Sequence, residues 1–374
     1  MMTTAQDEPL LLTPGPLTTS ASVKQAMLRD WGSRDPGFIA LNARVRERLL
    51  ALAGGAGSHV CVPLQGSGTF IVEAMLGTLV PRDGRLLVLV NGAYGQRMVA
   101  MARYHGTPVE ALRTAEDQPA DIAALDRALA SDPSISHVAA VHCETTSGIL
   151  NPIEAIAEVT ARHGRRLLID AMSAFGALPL DAREVPFEAL AASANKCLEG
   201  VPGVGFAIIR EDALAGAEGR APALSLDLHD QWLGLERNGQ WQFTPPTHVL
   251  AALERALLEH QEEGGVAGRG ARYRENCRIL TTGMRELGFE PLLPEHLQAP
   301  IIVTFRMPRD PGFDFQAFYD RLRGRGYVIY PGKLTVAPSF RIGCIGHLGP
   351  LDMSGAIDAI RSTLRELGVT SGRP

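Results

Sequence analysis

Between residues 59 and 209 the chain switches repeatedly between two hydrophobic periods, and that alternation restricts its fold more than any other feature. The short runs 59–64, 85–90, 137–141, 166–170 and 205–209 are rich in Val, Ile and Leu and have the length of strands, whereas 69–80, 93–105 and 153–163 place apolar residues at helical spacing. Strands that are apolar along their whole length are covered on both faces. Strands alternating with helices give a mostly parallel sheet between two helical layers, an α/β architecture. Such sheets bind ligands beyond the carboxyl ends of their strands, so the residues just after each strand are the ones to inspect for chemistry.

Outside this core the pattern differs. Residues 20–52 have helical spacing interrupted by the Gly/Asp/Pro cluster 32–37, and residues 10–17 read as an extended arm broken by Pro14 and Pro16 that could lie on a second subunit. Beyond residue 241 come two long helical segments, 247–263 and 270–287, then a Pro-rich break at 291–300. A strand at 301–305, a helix at 315–323, a strand at 327–330, an apolar segment at 340–345 and a final helix at 352–367 make a compact α+β tail. The expected division is an arm (1–19), a large domain (20–263) and a small C-terminal domain (264–374).

At 374 residues and 40.1 kDa the chain exceeds one ordinary domain. Its 36 Lys and Arg are scattered and the net charge is -5, which argues against a nucleic-acid or anionic-membrane partner and for small molecules. Five cysteines without CxxC spacing suit neither a disulfide framework nor a metal site. No basic stretch followed by an apolar core opens the sequence, and no apolar run approaches the ~18 residues of a membrane span, so the expected location is cytoplasmic.

Six places carry candidate chemistry. Ser67, Gly68 and Thr69 stand between a strand and a helix, where free N–H groups and the dipole form a phosphate cradle; a plain glycine turn with a Thr cap reads equally well. Tyr94 follows the strand 85–90 and could lie flat on a planar ligand or pack a loop. Thr145 follows the strand 137–141 and supplies a hydroxyl, while His142 and Cys143 beside it read as structural. Asp170 closes the strand 166–170, where a carboxylate needs a cation, either Arg165 or Arg166 or a protonated ring nitrogen of a bound cofactor. Lys196, next to Asn195 among small residues and before a Gly/Pro turn, reads as an exposed lysine or as a desolvated amine able to form a Schiff base. In the tail, Arg341 lies inside an apolar run and needs an anion, either a protein carboxylate or a substrate acid. Cys344 reads as a buried thiol.

Taken in order, Ser67-Gly68-Thr69, Tyr94, Thr145, Asp170, Lys196, Thr244 and Arg341 resemble the class V aminotransferases, pyridoxal-phosphate enzymes of fold type I. The wording around Lys196 and in Tyr330-Pro331-Gly332-Lys333 is similar to the branch that acts on 2-aminoethylphosphonate. The resemblance implies a homodimer with shared active sites and pyridoxal 5'-phosphate as cofactor. Lys196 would be the amine that carries the cofactor and shuttles protons, Asp170 the partner of its ring nitrogen, and Tyr94 a stacking platform. Ser67, Gly68, Thr69, Thr145, Asn195 and, from the other subunit, Thr244 would complete the cofactor site. Arg341 would bind the substrate's acid group. The implied reaction moves the amino group of 2-aminoethylphosphonate to pyruvate and releases phosphonoacetaldehyde and L-alanine. An alanine– or serine–glyoxylate transaminase and a cysteine desulfurase-like lyase, which would need a reactive Cys344, are the alternatives on the same fold.

Overall fold

The computed structural model describes residues 8–334 and 337–374; the first seven residues of the expected arm lie outside the described residues. Seven strands form the main sheet: β1 (His59–Gly66), β2 (Arg85–Val90), β3 (Val109–Arg113), β4 (Ile135–Val141), β5 (Arg166–Asp170), β6 (Ala189–Ser193) and β7 (Gly203–Arg210), in the spatial order β1-β7-β6-β5-β4-β2-β3. Only β7 runs against its neighbours. Pro63 within β1 is tolerated because β1 is an edge strand, paired on one side only.

Every strand of this sheet except the edge strand β3 buries both faces. Leu87, Leu89, Val138, Leu167, Ile169 and Leu190 point into one apolar layer, and the intervening Leu86, Val88, Ala139, Leu168 and Ala191 point into the other. The helices Pro36–Leu52, Ile122–Ser131, Ile153–Arg162 and Thr247–Glu262 cover the first layer; Gly68–Leu79, Ala93–Tyr104 and Leu228–Asn238 cover the second. Fully burying one such Leu or Ile contributes about 1.5–3 kcal/mol, so these two layers dominate the stability of the sheet.

Two strands and two helices escape the periodicity. β6 is Ala-Leu-Ala-Ala-Ser, a composition that strand propensity does not favour, yet it lies near the middle of the sheet. Small residues are needed there because the helix Gly68–Leu79 packs close on this part of the sheet: a Cβ on Gly205, which faces Ser193 across the ladder, would come within 2.7 Å of Ile71. β3 and the helix Ile122–Ser131 were also not apparent, nor was the helix Leu228–Asn238 that spans most of the 232–241 segment.

The C-terminal part has its own sheet, Ile302–Arg306, Ser339–Gly343 and Tyr330–Pro331, all antiparallel, packed under helices Gly265–Glu286, Phe315–Gly324 and Pro350–Leu367. Phe289, Phe305, Phe318 and Phe340 fill its core. The extended residues near the N-terminus lie on the C-terminal part of their own chain. Leu10 and Leu11 pair with Tyr327 and Val328, Leu12 joins the phenylalanine core, and Gly343 N–H donates to Leu12 O. Among the described residues no helix is long and apolar enough to cross a membrane.

Candidate active site

One cavity opens beyond the carboxyl ends of β1, β2, β4, β5 and β6. Ser67, Gly68, Thr69, Tyr94, Arg97, Cys143, Asp170, Met172, Ser193, Asn195 and Lys196 are on its wall. Sequence positions from 67 to 196 thus converge because parallel strands all end at the same sheet edge.

Asp170 Oδ1 accepts from the N–H of Met172 at 3.0 Å, and the side chain forms no ion pair among the described residues. Arg166 is not its partner: it sits at the opposite end of β5 and pairs with Glu188 at 2.7 Å. Burial therefore pushes the Asp170 carboxyl up to about 6. Across the cavity the Lys196 amine donates to Pro14 O and is shifted the other way, its pKa lowered chiefly by burial. A desolvated amine faces a desolvated carboxyl, and neither is neutralised by a close partner of opposite charge.

Two helices point their N-termini at this region, and they differ. The helix Ala93–Tyr104 is already capped by a protein carboxylate: Glu144 accepts from the N–H groups of Tyr94 at 3.1 Å and Gly95 at 3.4 Å, and from Thr146 Oγ1 at 2.6 Å. Gly92 precedes that helix because a Cβ there would lie 2.4 Å from the Glu144 side chain. The helix Gly68–Leu79 has Ser67 at its N-cap with no side-chain cap bond, so its first N–H groups and the Ser67 hydroxyl remain available to an anion. Arg97 Nη1 donates to Thr69 Oγ1 at 3.0 Å and adds positive charge at the same mouth.

Tyr94 stands between these groups and the C-terminal part. Burial alone would raise its phenol, but Lys196, a hydrogen bond with Thr145 and Lys333 together bring it below its ordinary value. The Lys333 ammonium lies 4.2 Å from the Tyr94 ring centroid and the Arg97 guanidinium 5.0 Å. Arg341 Nη1 donates to Thr145 O at 2.9 Å and Nε to Pro331 O at 3.1 Å; no protein carboxylate pairs with it among the described residues, and burial lowers its pKa. Of the two readings of Arg341, the protein carboxylate finds no support here.

Thr244 is elsewhere. It is exposed in a surface hollow with Ser33, Arg34, Trp241 and Phe243, and does not reach the cavity of its own chain. Cys344 is fully buried beneath the small sheet, as expected for an inert thiol. Cys143, read as structural, does form part of the cavity wall, with its thiol pushed up by burial. The residues the sequence reading left without a role are Arg97, Glu144, Ser193 and Lys333. Arg97 is one helical turn after Tyr94, a spacing that puts both on one face and was a usable signal. Lys333 stands in the Tyr330–Lys333 motif that carries the resemblance, but its place over Tyr94, 239 residues earlier in the chain, is a tertiary contact that no local pattern gives.

A sequence model of the family described as aminotransferase class-V matches residues 43–337. The chain is 57% identical over 361 residues to the 2-aminoethylphosphonate–pyruvate transaminase of Pseudomonas putida strain W619, covering 96% of this chain and 98% of that protein. It is 55% identical over 368 residues to the protein of the same name from Pseudomonas aeruginosa, covering 98% and 99%. Among solved structures, the ureidoglycine–glyoxylate aminotransferase of Bacillus subtilis superposes with a TM-score of 0.90 over 99% of this chain and 96% of that one, at 21% identity, and so shares the fold. With an uncapped helix end, a lone buried carboxyl and a desolvated lysine around one cavity, and with relatives this close along nearly its whole length, the chain belongs to the class-V aminotransferase family, among the 2-aminoethylphosphonate–pyruvate transaminases.

Proposed function

We propose that this protein holds pyridoxal 5'-phosphate in the cavity and transfers the amino group of 2-aminoethylphosphonate to pyruvate. The observation that carries the reading is the pairing, across one cavity, of the desolvated Lys196 amine with the buried Asp170 carboxyl that has no protein cation. Those two groups fit a ligand that bears both an aldehyde and a protonated ring nitrogen. When bound, the cofactor supplies an electron sink for the carbon that loses a proton.

The chain's own residues do the rest. Asp170 holds the proton on the ring nitrogen, which is the cation its burial lacks. Lys196 Nζ, whose desolvation favours the neutral amine, would take the proton from the amino-bearing carbon and return it to the carbon on the far side of the amino nitrogen. Ser67, Gly68 and Thr69 bind the cofactor phosphate at the uncapped helix end, with Asn195 and Thr145 lining the ring and Tyr94 against its face. Arg341 grips the acid group of the donor and, in the second half-reaction, the carboxylate of pyruvate. Thr244, exposed in its own chain, reaches the phosphate of a partner's site in a homodimer. The division at residues 263 and 264 separates a cofactor-binding part from a smaller part that carries Arg341, and Gly264 and Gly265, both at positive φ, form the joint.

The test is spectroscopic and kinetic. Protein titrated with pyridoxal 5'-phosphate should gain absorbance at the visible edge, borohydride should bleach it, and mass spectrometry should find the reduced adduct on Lys196. The loaded protein should form alanine from 2-aminoethylphosphonate and pyruvate in clear preference to turnover of serine with glyoxylate. An adduct on another side chain sinks the cofactor assignment, and the opposite substrate preference sinks the substrate assignment.

A further inference from the structure

A phosphonate differs from a carboxylate in charge: like a phosphate monoester, it carries between one and two negative charges at neutral pH. Arg341 by itself matches a carboxylate. The hairpin that carries it brings a second cation to the same wall. Tyr330 pairs with Arg341 across that hairpin, and three residues later Lys333 turns back over Tyr94 with its ammonium 4.2 Å from the ring centroid. Lys333 and Arg341 are joined through shared neighbours. The Tyr94 hydroxyl is hydrogen-bonded to both Lys333 and Thr145, and Thr145 O accepts from Arg341 Nη1 at 2.9 Å. Neither cation has a carboxylate partner among the described residues, whereas Glu144, whose charge acts on Arg341, is occupied with the helix end at Tyr94 and Gly95. Arg97, also over the Tyr94 ring, serves the Thr69 end of the cavity.

Two cationic groups thus meet at Tyr94, Arg97 at the helix mouth for the cofactor phosphate and the pair Lys333 and Arg341 on the C-terminal hairpin. Resting on the functional reading above, we infer that Lys333 is a specificity-determining residue that, with Arg341, selects a dianionic phosphonate donor over a carboxylate one. The groups facing Lys333 are Tyr94 and, through it, Lys196, Arg97 and Thr145, with Arg341 and Tyr330 on its own hairpin. Repulsion among these cations is relieved when a doubly charged ligand binds, which gives the pair a preference that neither cation has alone.

The experiment compares wild type with Lys333→Met, both loaded with pyridoxal 5'-phosphate, by calorimetric titration with ethylphosphonate and with propionate from pH 6 to 8. Wild-type affinity for ethylphosphonate should tighten as pH rises and the dianion forms, while propionate, singly charged throughout, should show no such trend. Lys333→Met should bind ethylphosphonate about thirtyfold more weakly at pH 8, the loss of one charge-assisted hydrogen bond, and should lose the pH trend while keeping propionate affinity within about threefold. In turnover, kcat/KM for 2-aminoethylphosphonate should fall by a similar factor, and kcat/KM for L-alanine in the reverse direction should hold. Unchanged ethylphosphonate binding in the variant overturns the inference, as does equal weakening of both anions, which would mark a structural role. Should wild type fail to turn over 2-aminoethylphosphonate, the functional reading falls, and the calorimetric comparison still decides the role of Lys333.

Discussion

Lys196 and Asp170 are both held in states that water would disfavour. Burial lowers the lysine and raises the aspartic acid, each toward its neutral form, so folding here works against two charges in order to prepare a site. In the protein without cofactor this has a measurable sign. The Asp170 carboxyl rises from 3.8 to about 6; below 3.8 it is protonated whether folded or unfolded, and above about 6 the folded state carries a buried anion at a cost of about 3 kcal/mol. Asp170→Asn should therefore stabilise the cofactor-free protein by up to about 3 kcal/mol at pH 8, with the gain shrinking as pH falls through 6 toward 4, in urea unfolding followed at several pH values. The same substitution should impair the loaded enzyme, because an amide cannot hold the ring proton. Lys196→Ala should slow transamination by about 10³-fold or more while some cofactor still binds, measured by stopped-flow on protein of known cofactor content.

The helix Gly68–Leu79 and the hairpin 143–150 show how backbone placement prepares the cavity. At Gly68 an added Cβ would lie 2.5 Å from the sulfur of Met172, a flexible side chain on the cavity wall. Gly68→Ala should leave the fold intact, since Met172 can move, but weaken pyridoxal 5'-phosphate binding about tenfold in an absorbance titration, because the displaced side chain intrudes on the phosphate's approach. Gly148 is different: its φ is +96° and a Cβ would come 2.3 Å from the backbone oxygen of Ile302, which cannot yield. Gly148→Ala should cost about 2–4 kcal/mol of stability in urea unfolding and detach the hairpin that presents Thr145.

Across the molecule, a buried cluster ties the lysine loop to the C-terminal part. Glu199, three residues after Lys196 and itself at φ 60°, accepts from Arg272 at 2.7 Å and from the Tyr273 hydroxyl, and Arg269 donates to Cys197 O. Arg272 also donates to Gly346 O and Leu348 O, just beyond the strand that carries Arg341. Glu199→Gln should destabilise the protein by about 1–3 kcal/mol, because Arg269 and Arg272 then keep Glu263 as their carboxylate partner and lose the buried one. Thr244 gives a test of the proposed homodimer. Mixing Lys196→Ala with Thr244→Asp chains, each inactive alone, should restore roughly a quarter of wild-type activity, since half the dimers are mixed and each of those has one intact site. No recovery on mixing would place Thr244 outside the partner's site.

The alternating periods and the residues that close each strand were enough to read the parallel sheet, the cavity at its carboxyl edge, and the roles available to Lys196, Asp170 and the Ser67–Thr69 turn, because these are properties of local sequence and of a topology with one strand direction. The alanine strand β6 stayed hidden because close packing by a helix, and not strand propensity, selects its residues. Which arginine serves Asp170 was open in the sequence, and distance along β5 answers it: neither does. Thr244's separation from its own cavity, the capping of one helix end by Glu144 and the meeting of Lys333 with Tyr94 all depend on contacts between segments dozens to hundreds of residues apart. Pairings of that kind leave no period to detect, since they follow from how distant surfaces meet once the chain has folded.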